Sequence, residues 1–270
     1  MCKTDMTEPT RPERGMSERH DPFRAYLECG FDSVEGWPGT KESVLFLEVL
    51  KDWFRPQGEQ GGALEIGIHH AKYLIALHNL LTPCRSLGID LFEDQARNID
   101  FSGMGGTDGP PTVETCRRHI FAFAENPEAI HLMSVDSLTL GPLEIADLLR
   151  TYPRFAFTSI DGGHTALHLS IDFMTASQLT SPVGVIAVDD LFHPDWPGVT
   201  EGIFRVLGRK ESPFIPLFIT RKKAFFCHAS VQTRFVAFIA EQFSARYTRD
   251  VRYVDFFGWR VPSLNFGNEY

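Results

Sequence analysis

From Gly62 onward the chain alternates short apolar runs with stretches whose apolar residues recur at helical spacing. "ALEIGI" (63–68), "SLGIDL" (86–91), "AIHLMS" (129–134), "FAFTSI" (155–160) and "VGVIAV" (183–188) read as strands. Between and after them, "HAKYLIALHNLL" (70–81) and the stretches near 113–124, 141–150, 164–179 and 199–208 read as helices. Strands separated by helices of about 10–15 residues make βαβ units, and right-handed crossovers place helices on both faces of a parallel sheet. The last two runs, "FIPLFIT" and "KAFFCHA", are joined only by a short basic turn. No crossover helix fits there, so the sheet is expected to finish with an antiparallel pair. The fold class is α/β, a doubly wound sheet.

Residues 22–54 read as two helical pieces around the turn "GWPGT", with Thr40 or Ser43 as the cap of the second. Its apolar positions are Val44, Leu45, Phe46, Leu47, Val49, Leu50, Trp53 and Phe54. The opening stretch is polar and lacks the apolar core of a signal peptide. The expected organisation is a disordered leader over 1–21, an N-terminal helical segment over 22–60, and one α/β domain over 61–270. At 270 residues and 43% hydrophobic content the chain can bury a sizeable core.

A formal net charge of −9 argues against a phosphate-neutralising surface, so nucleic acid is not expected as a partner. The basic "RKK" at 221–223 reads as a solvated hairpin turn. No apolar run approaches the ~20 residues that cross a bilayer, so no membrane association is expected. Five cysteines (2, 29, 84, 116 and 227) form no CxxC pair, which suits reduced thiols in the cytoplasm. The carboxyl-terminal "VRYVDFFGWRVPSLNF" is apolar enough to pack on the domain or on a second subunit, which leaves a homo-oligomer open.

Each of the first five strands ends in or beside polar residues: Glu65 and Gly67, then Asp90, then Asp136 and Ser137, then Asp161, then Asp189 and Asp190. A single aspartate after a strand is commonly a helix cap. A whole row of them, at the edge where parallel sheets bind ligands, points to a site. The spacing from Glu65 to Asp90 suits a nucleoside, with an acidic residue at the end of the second strand on the ribose. The G-x-G-x-x-G signature of dinucleotide binders is absent. "GMGGTDG" (103–109) reads as a surface loop, or as a lid over the site.

"ALEIGIHHAK", "GIDLFEDQARNIDFSG", "SIDGGHT" and "VIAVDDLFHPDWPGVTEG", in that order, resemble the class I S-adenosylmethionine-dependent methyltransferases, in a bacterial branch carrying "IDGGHT" and "DD…WPGVTEG". The resemblance covers roughly 62–229. It implies a Rossmann-like methyltransferase sheet of seven strands, in the order three-two-one-four-five-seven-six, with the seventh antiparallel. It also implies that Glu65, Gly67 and His69 lie against the methionine part of the cofactor, Asp90 on its ribose, and Asp136 and Ser137 beside the adenine, with Asp161 completing the set. The family usually has glycine where this chain has Ala71, so a methyl group is expected in the turn facing the cofactor's amino-acid end.

In that order the fourth and fifth strands are neighbours about 4.8 Å apart, which brings Asp161 near Asp189 and Asp190. Carboxylates so close repel unless protonated, hydrogen-bonded or neutralised by a cation. Metal-dependent O-methyltransferases of the class carry acidic residues at these strand ends, so the resemblance supports Mg²⁺ or another divalent cation at Asp161, Asp189 and Asp190. His164 is a candidate general base or further ligand, and His193 and Trp196 candidates for the acceptor pocket; Asp161, His164 and His193 form the expected catalytic set. Helix or turn caps remain the alternative for the aspartates, packing over the sheet edge for the Trp-Pro-Gly turn, and a satisfied histidine is the reading for His168. The expected function is methyl transfer from S-adenosylmethionine to a hydroxyl of a small-molecule acceptor. A catalytically inactive binding or assembly protein is the alternative, and a metal-dependent hydrolase or hydroxylase the third reading.

Overall fold

The structure is a computed structural model, and it describes residues 21–100, 109–210 and 212–267. The expected leader, apart from Asp21, and the glycine-rich loop, apart from Gly109, lie outside the described residues. Helix α1 (Pro22–Cys29) begins where the Asp21 carboxylate accepts hydrogen bonds from the Phe23 and Arg24 amides. The second piece of the N-terminal segment is two short helices, α2 (Lys41–Phe46), capped by Thr40, and α3 (Val49–Phe54). Trp53 of α3 stacks on Phe235 at 3.8 Å between ring centroids, and its indole N–H donates to the Val183 carbonyl at 2.9 Å. This segment shares one hydrophobic cluster with residues of the sheet.

The alternating part runs β1 (Ala63–Ile66), α4 (Lys72–Leu81), β2 (Ser86–Asp90), α5 (Val113–Phe123), β3 (Ile130–Ser134), α6 (Pro142–Thr151), β4 (Phe155–Ile160), α7 (Ala166–Leu179), β5 (Thr180–Val188) and α8 (Pro197–Arg209). It closes with β6 (Phe214–Ile219), β7 (Ala224–His228), α9 (Gln232–Tyr247), β8 (Arg252–Phe256) and β9 (Trp259–Ser263). Helices α4, α5 and α9 pack on one face of the sheet, and α6, α7 and α8 on the other. The strand order is β3-β2-β1-β4-β5-β7-β6-β9-β8, parallel from β3 to β5, with β7 antiparallel to both β5 and β6.

The first seven strands therefore stand in the expected order, but the described sheet has nine strands rather than seven. The added pair comes from the carboxyl-terminal apolar segment. Phe257 and Gly258, at φ of 53° and 81°, make the tight two-residue turn that lets β8 and β9 pair antiparallel. Strand β9 then joins the open edge of β6, through Ile219 opposite Ser263. An unpaired edge exposes a row of amide and carbonyl groups, and this hairpin covers the one that β6 would leave. No helix among the described residues is long and apolar enough to cross a membrane.

Candidate active site

The carboxyl ends of β1, β2, β4 and β5, with the turn after β3, open into one cleft of about 280 Å³. Its position follows from topology, because the chain leaves β1 and β4 toward opposite faces of the sheet and the strand ends between them stay uncovered. Gly67 makes the first turn at φ 81°, and a Cβ there would fall 2.0 Å from the Asp161 carbonyl oxygen. Only glycine lets the ends of β1 and β4 approach this closely. His69 follows at φ 50°, lines the cleft, and sets its ring 5.5 Å from that of Trp37.

Ala71 departs from expectation. It adopts φ 68° at the start of α4, but its methyl is fully buried in the core and does not line the cleft. The turn places that side chain in the hydrophobic core rather than in the cleft.

On the β2–β3 side, Ile89, Leu91 and Val135 supply apolar walls. Asp90 lies at the floor, where its Oδ2 accepts from the Ile68 and His69 amides at 2.8 and 3.0 Å and its Oδ1 from the Phe92 amide at 2.9 Å. A carboxylate has about four acceptor positions, so one remains. Asp136 caps Leu138 at 3.0 Å and receives Arg97 at 3.1 Å; Ser137 lines the wall beside it. Glu65 does not line the cleft. It is buried in β1 opposite Ser159, and burial, reinforced by the charge of Asp161, pushes its carboxyl well above the usual range.

On the β4–β5 side, Asp161, His164 and Asp190 each offer one ligand atom, all within 4.8 Å of one another. His164 Nε2 lies 3.3 Å from Asp190 Oδ2 and 3.8 Å from Asp161 Oδ1. Asp100 completes the group from the loop after β2. Its carboxylate accepts from the His164 amide at 2.5 Å and lies 3.2 Å from Nδ1. Burial opposes a charge on His164, yet the hydrogen bonds to Asp100, Asp161 and Asp190 push its pKa up to about 11. Burial likewise disfavours ionised Asp161, but the bond to His164 and the charge of Lys223 outweigh it and hold the carboxyl below its usual range. Asp190 sits at φ 55°, a strained conformation that aspartate tolerates better than most residues.

Asp189 lies close enough to Asp161 and Asp190 to feel their charges, as expected, but it is not one of the three groups that share ligand distance: its Oδ2 meets Lys223 Nζ at 2.5 Å, and both side chains are buried. Burial disfavours the Lys223 ammonium, and Asp189 and Asp161 more than restore it. The "RKK" turn is accordingly not wholly solvated. Arg221 is exposed, but Lys223 is buried and Lys222 lines the cleft. The hairpin between β6 and β7 folds these lysines toward the strand-end acids, a contact that composition alone does not reveal.

Trp196 lines the cleft and stacks on His164, whereas His193 faces Asp195 at 3.9 Å and does not line it. His168 is buried, donates to or accepts from Thr165 Oγ1 at 2.8 Å, and also reaches the cleft wall. Trp37, Arg97, Asp100, Lys222 and Lys223 were not legible as site residues. For Trp37 the one signal was a large aromatic inside a turn, "GWPGT".

No family model and no curated protein matches the sequence. Solved structures do match it. The O-methyltransferase NovP aligns at a TM-score of 0.51 and 14% identity over 70% of this chain and 80% of that one. The O-methyltransferase TomG from Streptomyces achromogenes, solved in complex with SAM, aligns at 0.48 and 18% over 79% and 92%. An O-methyltransferase from Bacillus cereus, in complex with SAH, aligns at 0.49 and 16% over 78% and 91%. Strand order and the likeness to NovP together establish that this chain has the α/β Rossmann-like methyltransferase fold, extended by two strands at one edge.

Proposed function

We propose that the chain is an S-adenosylmethionine-dependent methyltransferase acting on a hydroxyl of a small-molecule acceptor, assisted by a divalent cation. The observation that carries this reading is the division of one cleft into two chemically distinct halves. Apolar walls and the remaining acceptor position of Asp90 suit a nucleoside at one end, and the Asp161–His164–Asp190 cluster lies at the other. The acidic lining suits a sulfonium, which carries positive charge. The two carboxylate oxygens suit Mg²⁺ or Mn²⁺. The segment 22–60 belongs to the same working unit, because Gly36 and Trp37 line the cleft.

A bound cofactor would supply an electrophilic methyl group, and a divalent cation held by Asp161 and Asp190 would supply the positive charge that acidifies an acceptor hydroxyl. The chain's own residues bind and orient. Asp90 would orient the nucleoside, and Trp37 and Trp196, which both line the cleft, offer aromatic surface to the acceptor. His164, held protonated by three carboxylates, holds a proton rather than taking one, and a cation at Asp161 and Asp190 competes with that proton. The same protonation favours a second reading, a binding protein without turnover, if no cation binds.

Calorimetric titration of S-adenosylmethionine into the wild type and Asp90→Asn, with and without Mg²⁺, tests the proposal. Binding that weakens in the variant, followed by methyl transfer in an acceptor screen with Mg²⁺, supports it. Absence of binding in the wild type overturns it. Binding without transfer to any acceptor, with or without Mg²⁺, favours the second reading.

A further inference from the structure

Lys222 carries a charge that the protein itself uses only in part. Its Nζ donates to the Trp37 carbonyl, and the carboxylate oxygens of Asp189 and Asp190 stand 3.9 and 4.0 Å away, beyond hydrogen-bond reach. Asp189 is already matched by Lys223 at 2.5 Å. The Lys222 side chain is 18% exposed and lines the cleft, so an ammonium with three donors faces a site largely shielded from water. These are long ion pairs rather than hydrogen bonds, so an oxygen acceptor arriving there gains a charge-assisted hydrogen bond without breaking one to a carboxylate.

The inference rests on the proposed cofactor. S-adenosylmethionine has a purine riboside at one end and an α-amino acid at the other. The apolar walls of Ile89, Leu91 and Val135, with Asp90, take the riboside on the β2–β3 side. The amino-acid end then runs past Gly67 toward β4 and β5, where Trp37 and Lys222 line the cleft. At that end, with no cation bound, Asp161 and Asp190 attract the ammonium group and repel the carboxylate. His164 directs its nitrogens to Asp100, Asp161 and Asp190. Arg97 is held at the opposite end, 3.1 Å from Asp136 and 3.8 Å from Asp94. Among the described residues of the lining, Lys222 is the strong base placed to meet the carboxylate.

We infer that Lys222 binds the α-carboxylate of the cofactor, and that the Trp37 carbonyl holds its ammonium in place for this. The hairpin turn between β6 and β7 is thereby part of the cofactor site rather than only of the sheet edge.

Calorimetry with S-adenosylmethionine and decarboxylated S-adenosylmethionine, which differ only in that carboxylate, tests the inference on the wild type, Lys222→Met and Lys222→Arg. The wild type is expected to prefer the intact cofactor by roughly ten- to a hundredfold, the range of a charged hydrogen bond. Lys222→Met is expected to bind both ligands as weakly as the wild type binds the decarboxylated one, and Lys222→Arg to keep part of the preference. Thermal melts confirm that the variants fold. Equal binding of both ligands by the wild type, or a preference retained in Lys222→Met, overturns the inference while leaving the proposed cofactor standing. Failure of the wild type to bind either ligand overturns both.

Discussion

His164 lies flat against the indole of Trp196, with ring centroids 4.4 Å apart and 23° between the planes. Its two nitrogens point to carboxylates on opposite sides. An imidazolium over an indole face gains about 0.5–2 kcal/mol. Trp196→Leu is therefore expected to lower the His164 pKa by about one unit, read by NMR titration of the imidazole in chelator-treated protein. An unchanged titration would mean that the indole only packs.

Proton release accompanies cation binding if His164 is a ligand. Its pKa of about 11 leaves it charged at pH 8, so Mg²⁺ can engage Nε2 only by displacing the proton. Calorimetry in buffers of different ionisation enthalpy is expected to show about one proton released per ion, with affinity rising from pH 7 to pH 10. Binding without proton release would confine the ion to Asp161 and Asp190.

Asp172 of α7 is buried beneath Gly162, and the Ser137 side chain is the hydrogen-bonding group that faces its carboxyl. Burial pushes its pKa up to about 7 from 3.8. Between those values the folded state keeps a proton that the unfolded state has lost, so this residue's contribution to stability falls as pH rises from about 4 to 7 and then levels off. Urea unfolding of wild type and Asp172→Asn is expected to show the variant gaining relative stability over that window, by up to roughly 4 kcal/mol. Parallel pH profiles would place the Asp172 titration near its ordinary value.

Lys223 and Asp189 are both buried and 2.5 Å apart, although burial pushes the Asp189 carboxyl pKa up to about 7. Lys223→Met leaves the Asp189 carboxyl buried near Glu65 and Asp161, which is expected to cost about 3–5 kcal/mol in chemical unfolding. The double change Lys223→Met/Asp189→Leu is expected to recover most of that loss. A double variant no more stable than the single one would argue against charge desolvation as the cause.

The two left-handed positions of the first turn are expected to respond differently. Gly67→Ala forces a Cβ onto the Asp161 carbonyl and is expected to cost at least about 2 kcal/mol and to abolish cofactor binding. Ala71→Gly relieves about 1–2 kcal/mol of left-handed strain, but it loses a buried methyl worth about 0.8 kcal/mol and adds about 0.4–1 kcal/mol of unfolded-chain entropy. Stability within about 1 kcal/mol of wild type and unchanged cofactor affinity are expected, because that methyl does not line the cleft. A marked gain in affinity would put Ala71 at the ligand after all.

Periodicity along the chain determined the alternating strands and helices and the antiparallel finish. The parallel topology then placed Asp90, Asp136, Asp161 and Asp190 at one edge, since each strand must end where the next helix begins. What the tertiary structure alone decided depends on contacts between segments far apart in the chain. Adjacent Asp189 and Asp190 look equivalent in sequence, but the turn at φ 55° sends one carboxylate into the sheet toward Lys223 and leaves the other beside His164. Asp100 and Trp37 reach the cleft from loops with no periodic signal, and Lys222 does so because a hairpin folds back over β5. Local pattern encodes which elements form; long-range packing decides which of their polar ends meet, because that choice balances burial against charge pairing across the whole fold.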